Sequence, residues 1–256
     1  MNRISSALNF LVIIFCFIGV YTLQQKRLDA QNLDSFLDYA QIEANEKMMR
    51  SLQSKLPTFG FDNLVADGNY LQFIQYFGDN DARKATGYGL IPTFFEVVTQ
   101  NDPNFIRAIL MISTANTMYA LNPTLTVKML DKAAQSVDPT FDALAPYLWS
   151  YKGMDEMLFL GDVKSAQKSY EKAAEWALKT NAPDKEALAQ RNRETAAFLA
   201  GNPNSRRARI AGWTFLLSNP IDQKTQELAI KQILALGGKV NLLPQGGIQV
   251  IFPEED

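Results

Sequence analysis

The chain has 256 residues, a formal net charge of −2, one cysteine and no histidine. Without imidazole, Ser-His-Asp and Cys-His catalytic groups and histidine-ligated zinc or iron sites are excluded. Near-neutral charge, with no basic stretch interleaved with aromatic residues, argues against a nucleic-acid partner. The sequence contains no phosphate-binding glycine loop, EF-hand loop or dinucleotide-binding turn, so no cofactor or metal is predicted, although a site made of carboxylates alone stays open.

The first 27 residues contain an uncharged apolar run from Ala7 to Leu23. Its length reaches the short end of the roughly 17–25 residues that a membrane-spanning helix needs, and Arg3, Lys26 and Arg27 flank it. A cleaved secretory signal is the alternative, but bulky residues stand where signal peptidase requires small ones. Cys16 lies inside the run and does not fit a lipoprotein signal. We therefore predict a single-pass membrane anchor at 1–27, with neither side of the membrane favoured.

The next segment, 28–67, begins as an amphipathic helix that Pro57 ends. Its apolar residues recur every three or four positions: Leu33, Phe36, Leu37, Ala40, Ala44, Met48 and Leu52. The helix is predicted to continue from the anchor as a stalk or to lie against the following domain, and a homodimeric coiled coil is the alternative. After Pro57 we expect a connection in which Phe59, Phe61 and Leu64 plug the first layer of the domain.

Turn signals then divide 68–183 into short helices of similar size. The predicted helices are Tyr70 to Phe77, Leu90 to Thr99, Phe105 to Ala120, Leu125 to Val137, Pro146 to Gly161, and Val163 to Lys179. The order of helix, short turn, helix and Asp-Pro is typical of a solenoid of helical hairpins. We predict three hairpins, at 68–103, 104–139 and 140–183.

One of these hairpins carries a familiar repeat pattern. In SAQKSYEKAAEWA, Ala166, Tyr170 and Ala173 have the small-aromatic-small spacing of the second helix of a tetratricopeptide repeat, and the chain resembles that family. Two other sets keep the spacing with different residue types: Ile91, Phe95 and Val98 before Pro103, and Val127, Asp131 and Ala134 before Pro139. The resemblance implies that the small residues let paired helices approach closely while Tyr170 fills the gap beside them.

The remainder is predicted to cap this array. Helices are expected from Asp184 to Leu199, from Ser205 to a stop before Asn219, and from Asp222 to Gly237, which together form capping helices at 184–238. At 239–256, apolar residues alternate on both sides of PQGG, as in a small β-hairpin, before an acidic tail. The predicted fold is all-α, a tetratricopeptide-like solenoid with an N-terminal transmembrane helix and a small C-terminal β-hairpin.

The order of features extends the resemblance over nearly the whole chain. An N-terminal apolar segment, FGFDNLVAD, QYFGD, YKGMDEMLFLGD, AAEWA and LALGGKV together look like membrane-anchored tetratricopeptide-like proteins of cyanobacteria. That resemblance implies a thylakoid or cytoplasmic membrane in a photosynthetic bacterium. It supplies no catalytic residue.

Two clusters are candidate partner-binding sites. Trp149, Lys152 and Glu156 recur at helical spacing and would suit the concave groove of a solenoid, although ordinary packing and salt pairing explain the same spacing.

The second cluster is the densest basic group of the chain. Arg206, Arg207 and Arg209 could engage an acidic partner or lipid headgroups, or they could form a solvated helix start. Three charges are fewer than the four to eight usual in lipid-binding clusters.

These features favour a noncatalytic function. We expect a membrane-anchored scaffold or assembly factor that binds a protein partner, with assembly of a photosynthetic complex as the most specific expectation. The alternative is an envelope hydrolase that uses Asp155 and Glu156 as a carboxylate pair. Adjacent residues of a helix point about 100° apart, which disfavours a converging pair.

Overall fold

The structure is a computed structural model that describes residues 12–25, 38–53, 55–201, 206–218, 223–242 and 247–254. Within these ranges the chain is mostly helical, with one two-stranded antiparallel sheet near its C-terminal end. The predictions of a mainly helical fold and of a small β-hairpin are therefore confirmed. The chain divides into two compact units, Met1–Ile42 and Glu43–Asp256.

The first unit contains helix α1 at 12–25, whose apolar side chains, Phe15 and Phe17 among them, are exposed. None of the helices in the described ranges has both the length and the apolar character that crossing a bilayer requires. Part of the predicted anchor, 1–11 with Arg3, and the segment 26–37 lie outside the described residues. The membrane anchor thus stays a prediction.

The remaining helices follow one another with short connections. They are α2 (Tyr39–Gln53), α3 (Asp62–Gly78), α4 (Asn80–Thr86), α5 (Ile91–Asn101), α6 (Ile106–Ile112), α7 (Pro123–Ser136), α8 (Pro146–Asp155), α9 (Val163–Ala177), α10 (Lys185–Gly201), α11 (Arg206–Ser218) and α12 (Gln223–Ala235). Two of them continue without a break as π-helix, α6 through Ser113–Tyr119 and α8 through Glu156–Leu160. The sequence pattern predicted these continuous helices but not their change of pitch.

Helix starts and stops follow local chemistry. The side chain of Asp162 accepts a hydrogen bond from the backbone N–H of Ser165 at 3.0 Å, which caps α9, and Asn122 caps α7 in the same way. The second π segment ends at Gly161, whose φ of +70° suits a residue without a side chain. The turn signals read from the sequence therefore correspond to real helix ends between α5 and α10.

The start of the array differs from the prediction. Helix α3 begins at Asp62 rather than Tyr70, and α4 is an additional helix. Phe59, Phe61 and Leu64 do not plug the first layer but are exposed, so that expectation was wrong. The layer is filled by one face of α3, whose buried residues recur every three or four positions: Ala66, Asn69, Phe73 and Tyr76. Leu64 lies off that face.

Helix α2 is held against the array by two buried arginines. Arg50 is 7% exposed, and its guanidinium lies 3.5 Å from the centre of the Phe94 ring while Nη1 donates to Asn69 Oδ1 at 3.1 Å. Arg83 lies 3.4 Å from the ring centre of Tyr76 and 3.8 Å from Glu43 Oε2 on α2. These contacts join α2, at Glu43 and at Arg50, to α3, α4 and α5.

Successive helices pack on one another from α3 to α10. The main neighbouring pairs are α3 with α5, α5 with α6, α6 with α7, α7 with α8, α8 with α9, and α9 with α10. Their buried side chains form the main core, which includes Phe73, Phe94, Ile109, Leu130 and Leu148. This core extends from α3 to α8 and includes Trp176 of α9, while α9 and α10 pack on each other through two smaller clusters.

The last two helices form a second core with the sheet. Helix α11 packs against α12 and against the π segment that continues α8, where Trp213 meets Phe159 at a ring separation of 5.2 Å. Strands β1 (Lys239–Leu242) and β2 (Ile248–Ile251) pair antiparallel, with Val240 opposite Val250, and both valines pack against this core. The hairpin thus covers the last helices.

Candidate binding groove and buried polar network

Helix α8 carries aromatic and polar side chains on two nearly opposite faces. Successive residues of a helix are rotated by about 100°. Tyr147, Ser150, Tyr151 and Met154 therefore share one face, while Trp149, Lys152 and Glu156 share the other. The first face lines an open groove and the second meets neighbouring helices, so α8 separates a surface site from an interior one.

The groove lies between α8 and α10 and has a volume of about 260 Å³. Its wall on α8 consists of Tyr147, Ser150, Tyr151 and Met154. Tyr170 of α9 contributes to the lining, and α10 supplies Leu188, Arg191, Asn192 and Thr195. Three tyrosines in a groove between helices give a surface that is apolar over most of its area and polar at the hydroxyl groups.

A hydrogen-bonded bridge fixes the two walls of the groove. Ser150 Oγ donates to Asn192 Oδ1 at 3.0 Å, and Asn192 Nδ2 donates to the carbonyl of Leu188 at 2.9 Å. Asn192 is buried and its amide is satisfied on both sides, so it serves as a structural bridge. Arg191, next to it, is exposed and forms no ion pair with any residue in the described part of the chain. Among its described lining residues, the groove therefore combines a hydrogen-bonded bridge between its walls with one cation, that of Arg191.

The opposite face of α8 belongs to a buried ionic network. Lys152 Nζ lies 2.9 Å from Glu156 Oε1 and 3.3 Å from Asp131 Oδ1, and it donates to Ser169 Oγ at 3.2 Å. The hydroxyl of Ser169 in turn donates to Glu156 Oε2 at 2.7 Å. The side chain of Glu156 is 5% exposed and that of Lys152 is 12% exposed. Both carboxylate oxygens of Glu156 are therefore bound inside the protein, and one lysine joins α7, α8 and α9.

Asp155 is fully buried beside this network but has a different partner. Ser113 Oγ donates to Asp155 Oδ2 at 2.9 Å. Burial raises the pKa of Asp155 to about 7, and the charge of Glu156 raises it too, while the hydroxyls of Ser113 and Thr117 oppose the rise. The buried carboxyl group therefore holds its proton to a much higher pH than an exposed aspartate does.

Trp149, the third predicted partner-binding residue of α8, packs inside the array. Its ring meets that of Trp176 edge to face at 5.8 Å, and Lys152 Nζ lies 5.2 Å from its ring centre. The structure brings Trp149, Lys152 and Glu156 together, but as part of the packing between helices. The groove residues of the same helix were missed, although Tyr147, Tyr151 and Met154 recur at i, i+4 and i+7 and could have been found by that spacing.

The basic group on α11 makes contacts within the chain. Arg207 Nη1 donates to the carbonyl of Pro253 at 3.4 Å. The guanidinium of Arg209 covers Gly161, where an added Cβ would lie 2.6 Å from its Cζ, and burial lowers the pKa of Arg209. Arg206 is half-buried. Arg207 and Arg209 thus connect α11 to the C-terminal segment and to the end of the second π segment.

The carboxylates of Asp155 and Glu156 do not converge on one point. Asp155 bonds Ser113, whereas Glu156 bonds Ser169 and Lys152. Asp155 has no exposed surface from which to meet a substrate. Within the described ranges, no group of three or more Asp, Glu or Cys side chains is arranged to hold a metal ion.

Comparison with protein-family models, with curated proteins and with solved structures found no match to this chain. The resemblance to tetratricopeptide repeats therefore rests on residue spacing alone.

Proposed function

We propose that this chain is a membrane-held, tetratricopeptide-like scaffold that binds a segment of a protein partner in the groove between α8 and α10. The observation that carries the proposal is the groove itself, whose walls come from α8 and α10, both packed on α9 and joined by the hydrogen bond from Ser150 to Asn192. A groove of this kind binds by shape and side-chain contact and requires no reaction.

The packing of the helices supports a repeat-like array. Ala166 and Ala173 are fully buried on α9, as expected if small residues let the helices approach closely. Tyr170, between them in sequence, is partly buried and contacts the α8 backbone region at Gly153. These are the positions at which the family pattern places small, aromatic and small residues.

The lining of the groove limits the chemistry of the partner. Tyr147, Tyr151 and Tyr170 offer rigid contact surface, and Arg191 offers a guanidinium that can bind a carboxylate through two hydrogen bonds. We therefore expect a peptide segment with an apolar side chain for the tyrosines and an acidic side chain for Arg191. With the predicted anchor, such a partner would be a subunit of a membrane complex, and the resemblance to cyanobacterial proteins favours a photosynthetic complex during its assembly.

The test is crosslinking and capture of partners by the full chain from native membranes. Arg191→Glu reverses the one cation among the described residues that line the groove. Arg193→Glu makes the same change on the same helix at an exposed position outside the groove. We expect a reproducible membrane-complex subunit to be captured by the wild type and by Arg193→Glu but lost with Arg191→Glu. Equal capture by both variants would place the binding site elsewhere, and no specific capture by any form would count against the scaffold function.

A further inference from the structure

An exposed apolar turn connects α2 and α3. It consists of Leu56, Phe59, Phe61 and Leu64, whose exposed fractions run from 64% to 86%. Large apolar side chains exposed one at a time are common on protein surfaces, but four within nine residues form a patch that calls for an explanation. This group is called the apolar turn below.

The apolar turn has a defined conformation. The backbone N–H of Lys55 donates to Leu52, that of Phe61 donates to Thr58, and that of Val65 donates to Phe61, each at 3.0 Å. Hydrogen bonds thus run from the end of α2 through the turn to the start of α3. The apolar side chains are therefore held outside the core by the fold.

Phe59 is the tip of the turn and the most exposed of the four side chains, at 86%. Its backbone has a φ of +53°, in the left-handed region, and Gly60 follows at +87°. A bulky residue in that region is strained, and such strain is concentrated at functional sites. Here the strained backbone directs an aromatic ring into solvent.

We infer that the apolar turn inserts into the interfacial region of the bilayer, so that this domain rests on the membrane that holds the chain. The inference rests on the proposed membrane attachment. Thirteen peptide units connect Gln25, at the end of the apolar helix α1, to Asp38, just before α2, and they can span at most about 45 Å. This length lets a chain that is anchored through its first helix bring α2 and the following turn to the bilayer surface.

The outer face of α2 supports a lipid surface as the occupant. Met48, Met49 and Leu52 are exposed on the side of the helix away from buried Arg50, and they precede the apolar turn directly. The apolar surface thus extends along the helix and around the turn, as it does in interfacial helices that lie in the plane of a membrane. A bilayer accepts such a ridge without matching its shape.

The experiment places an environment-sensitive fluorophore on the full chain. In a Cys16→Ser background, Phe59→Cys and, as a control, Phe198→Cys are labelled with a nitrobenzoxadiazole group, because Phe198 is an exposed phenylalanine of α10 at 57%. The proteins are reconstituted with phosphatidylcholine and phosphatidylglycerol vesicles, with and without lipids that carry a doxyl quencher. Vesicle flotation first establishes that the chain is membrane-bound.

We expect blue-shifted emission at position 59 that doxyl lipid quenches, and neither effect at position 198. Flotation without quenching at position 59 overturns the inference while the membrane attachment stands. A blue shift at position 59 without quenching also overturns it, because a protein surface, such as that of a second copy, then covers the turn. Failure to float removes the attachment on which the inference rests.

Discussion

The hydroxyl of Ser113 donates to the carboxylate of Asp155 at 2.9 Å and so joins the two places where a helix changes from α to π. Ser113 is the first residue of the π segment after α6, and Asp155 is the last α-helical residue before the π segment after α8. Each π segment has more residues per turn than an α-helix, so the side chains that follow it point in different directions around the helix axis than they would in a regular helix. The hydrogen bond therefore ties together the two irregular regions of the array.

Replacing Asp155 should change how the stability of the domain depends on pH. The pKa of Asp155 in the folded chain, about 7, lies above its ordinary value of 3.8. Between these two pH values the folded chain therefore keeps a proton that the unfolded chain has released. The free energy of unfolding keeps its full contribution from protonated Asp155 below about pH 4 and loses it as the pH rises through about 7. Asp155→Asn removes the charge but retains an acceptor for Ser113. Urea unfolding should show a flatter pH profile and, at pH 8, a gain of up to about 4 kcal/mol.

Two controls accompany the Asp155 experiment. Glu186→Gln, an exposed carboxylate on α10, should leave the pH profile unchanged. Ser113→Ala removes the hydrogen bond that favours the charged form of Asp155, and should therefore destabilise the fold more at pH 8 than at pH 5. An Asp155→Asn profile parallel to that of the wild type would show that this carboxyl does not titrate as described.

Truncating Tyr170 should destabilise the packing of α9. Its ring contacts α8, where a Cβ added to Gly153 would lie 3.0 Å from Tyr170 Cε2, and burial raises the pKa of the Tyr170 hydroxyl to about 12. Because the ring is partly buried and also lines the groove, Tyr170→Ala should cost about 2–3 kcal/mol, less than a fully buried aromatic residue. Thermal or urea unfolding measures this loss. A change as small as that of exposed Phe198→Ala would mean that the ring does not support the array.

Removing Arg50 should loosen α2 selectively. The side chain stacks on Phe94 and donates to Asn69 Oδ1 and Gln72 Oε1, each at 3.1 Å. Arg50→Ala should lower the free energy of unfolding by about 2 kcal/mol, since it removes a desolvated cation–π contact and charged hydrogen bonds. Hydrogen exchange should accelerate in α2 before it does in α5. Lys47→Ala, an exposed cation on the same helix, is the matched control and should change neither quantity.

The sequence predicted the helices from α5 to α10 because their turns contain residues with strong local preferences. Asp162 and Asn122 cap helices, and Gly161 ends one, so their effects act within a few residues. The groove and the π segments depend instead on which face of each helix meets a distant neighbour. Neither the pairing of Ser150 with Asn192 nor that of Ser113 with Asp155 can be read from spacing, since each joins residues 42 positions apart.

Lys152 and Glu156 should behave as one structural pair. Removing only the lysine leaves a buried carboxylate with no partner cation on its own helix, and this costs more than removing both charges. Lys152→Met keeps the aliphatic stem and should cost about 3 kcal/mol, while Lys152→Met combined with Glu156→Gln should cost about 1 kcal/mol or less. Urea unfolding of the wild type, both single variants and the double variant gives the coupling energy.

Since this pair lies on the face of α8 opposite the groove, the double variant should also capture the partner as well as the wild type does. If the losses in free energy of unfolding are additive, the two charges do not interact. If the double variant loses partner capture while its stability is unchanged, the partner binds this face of α8 and not the groove.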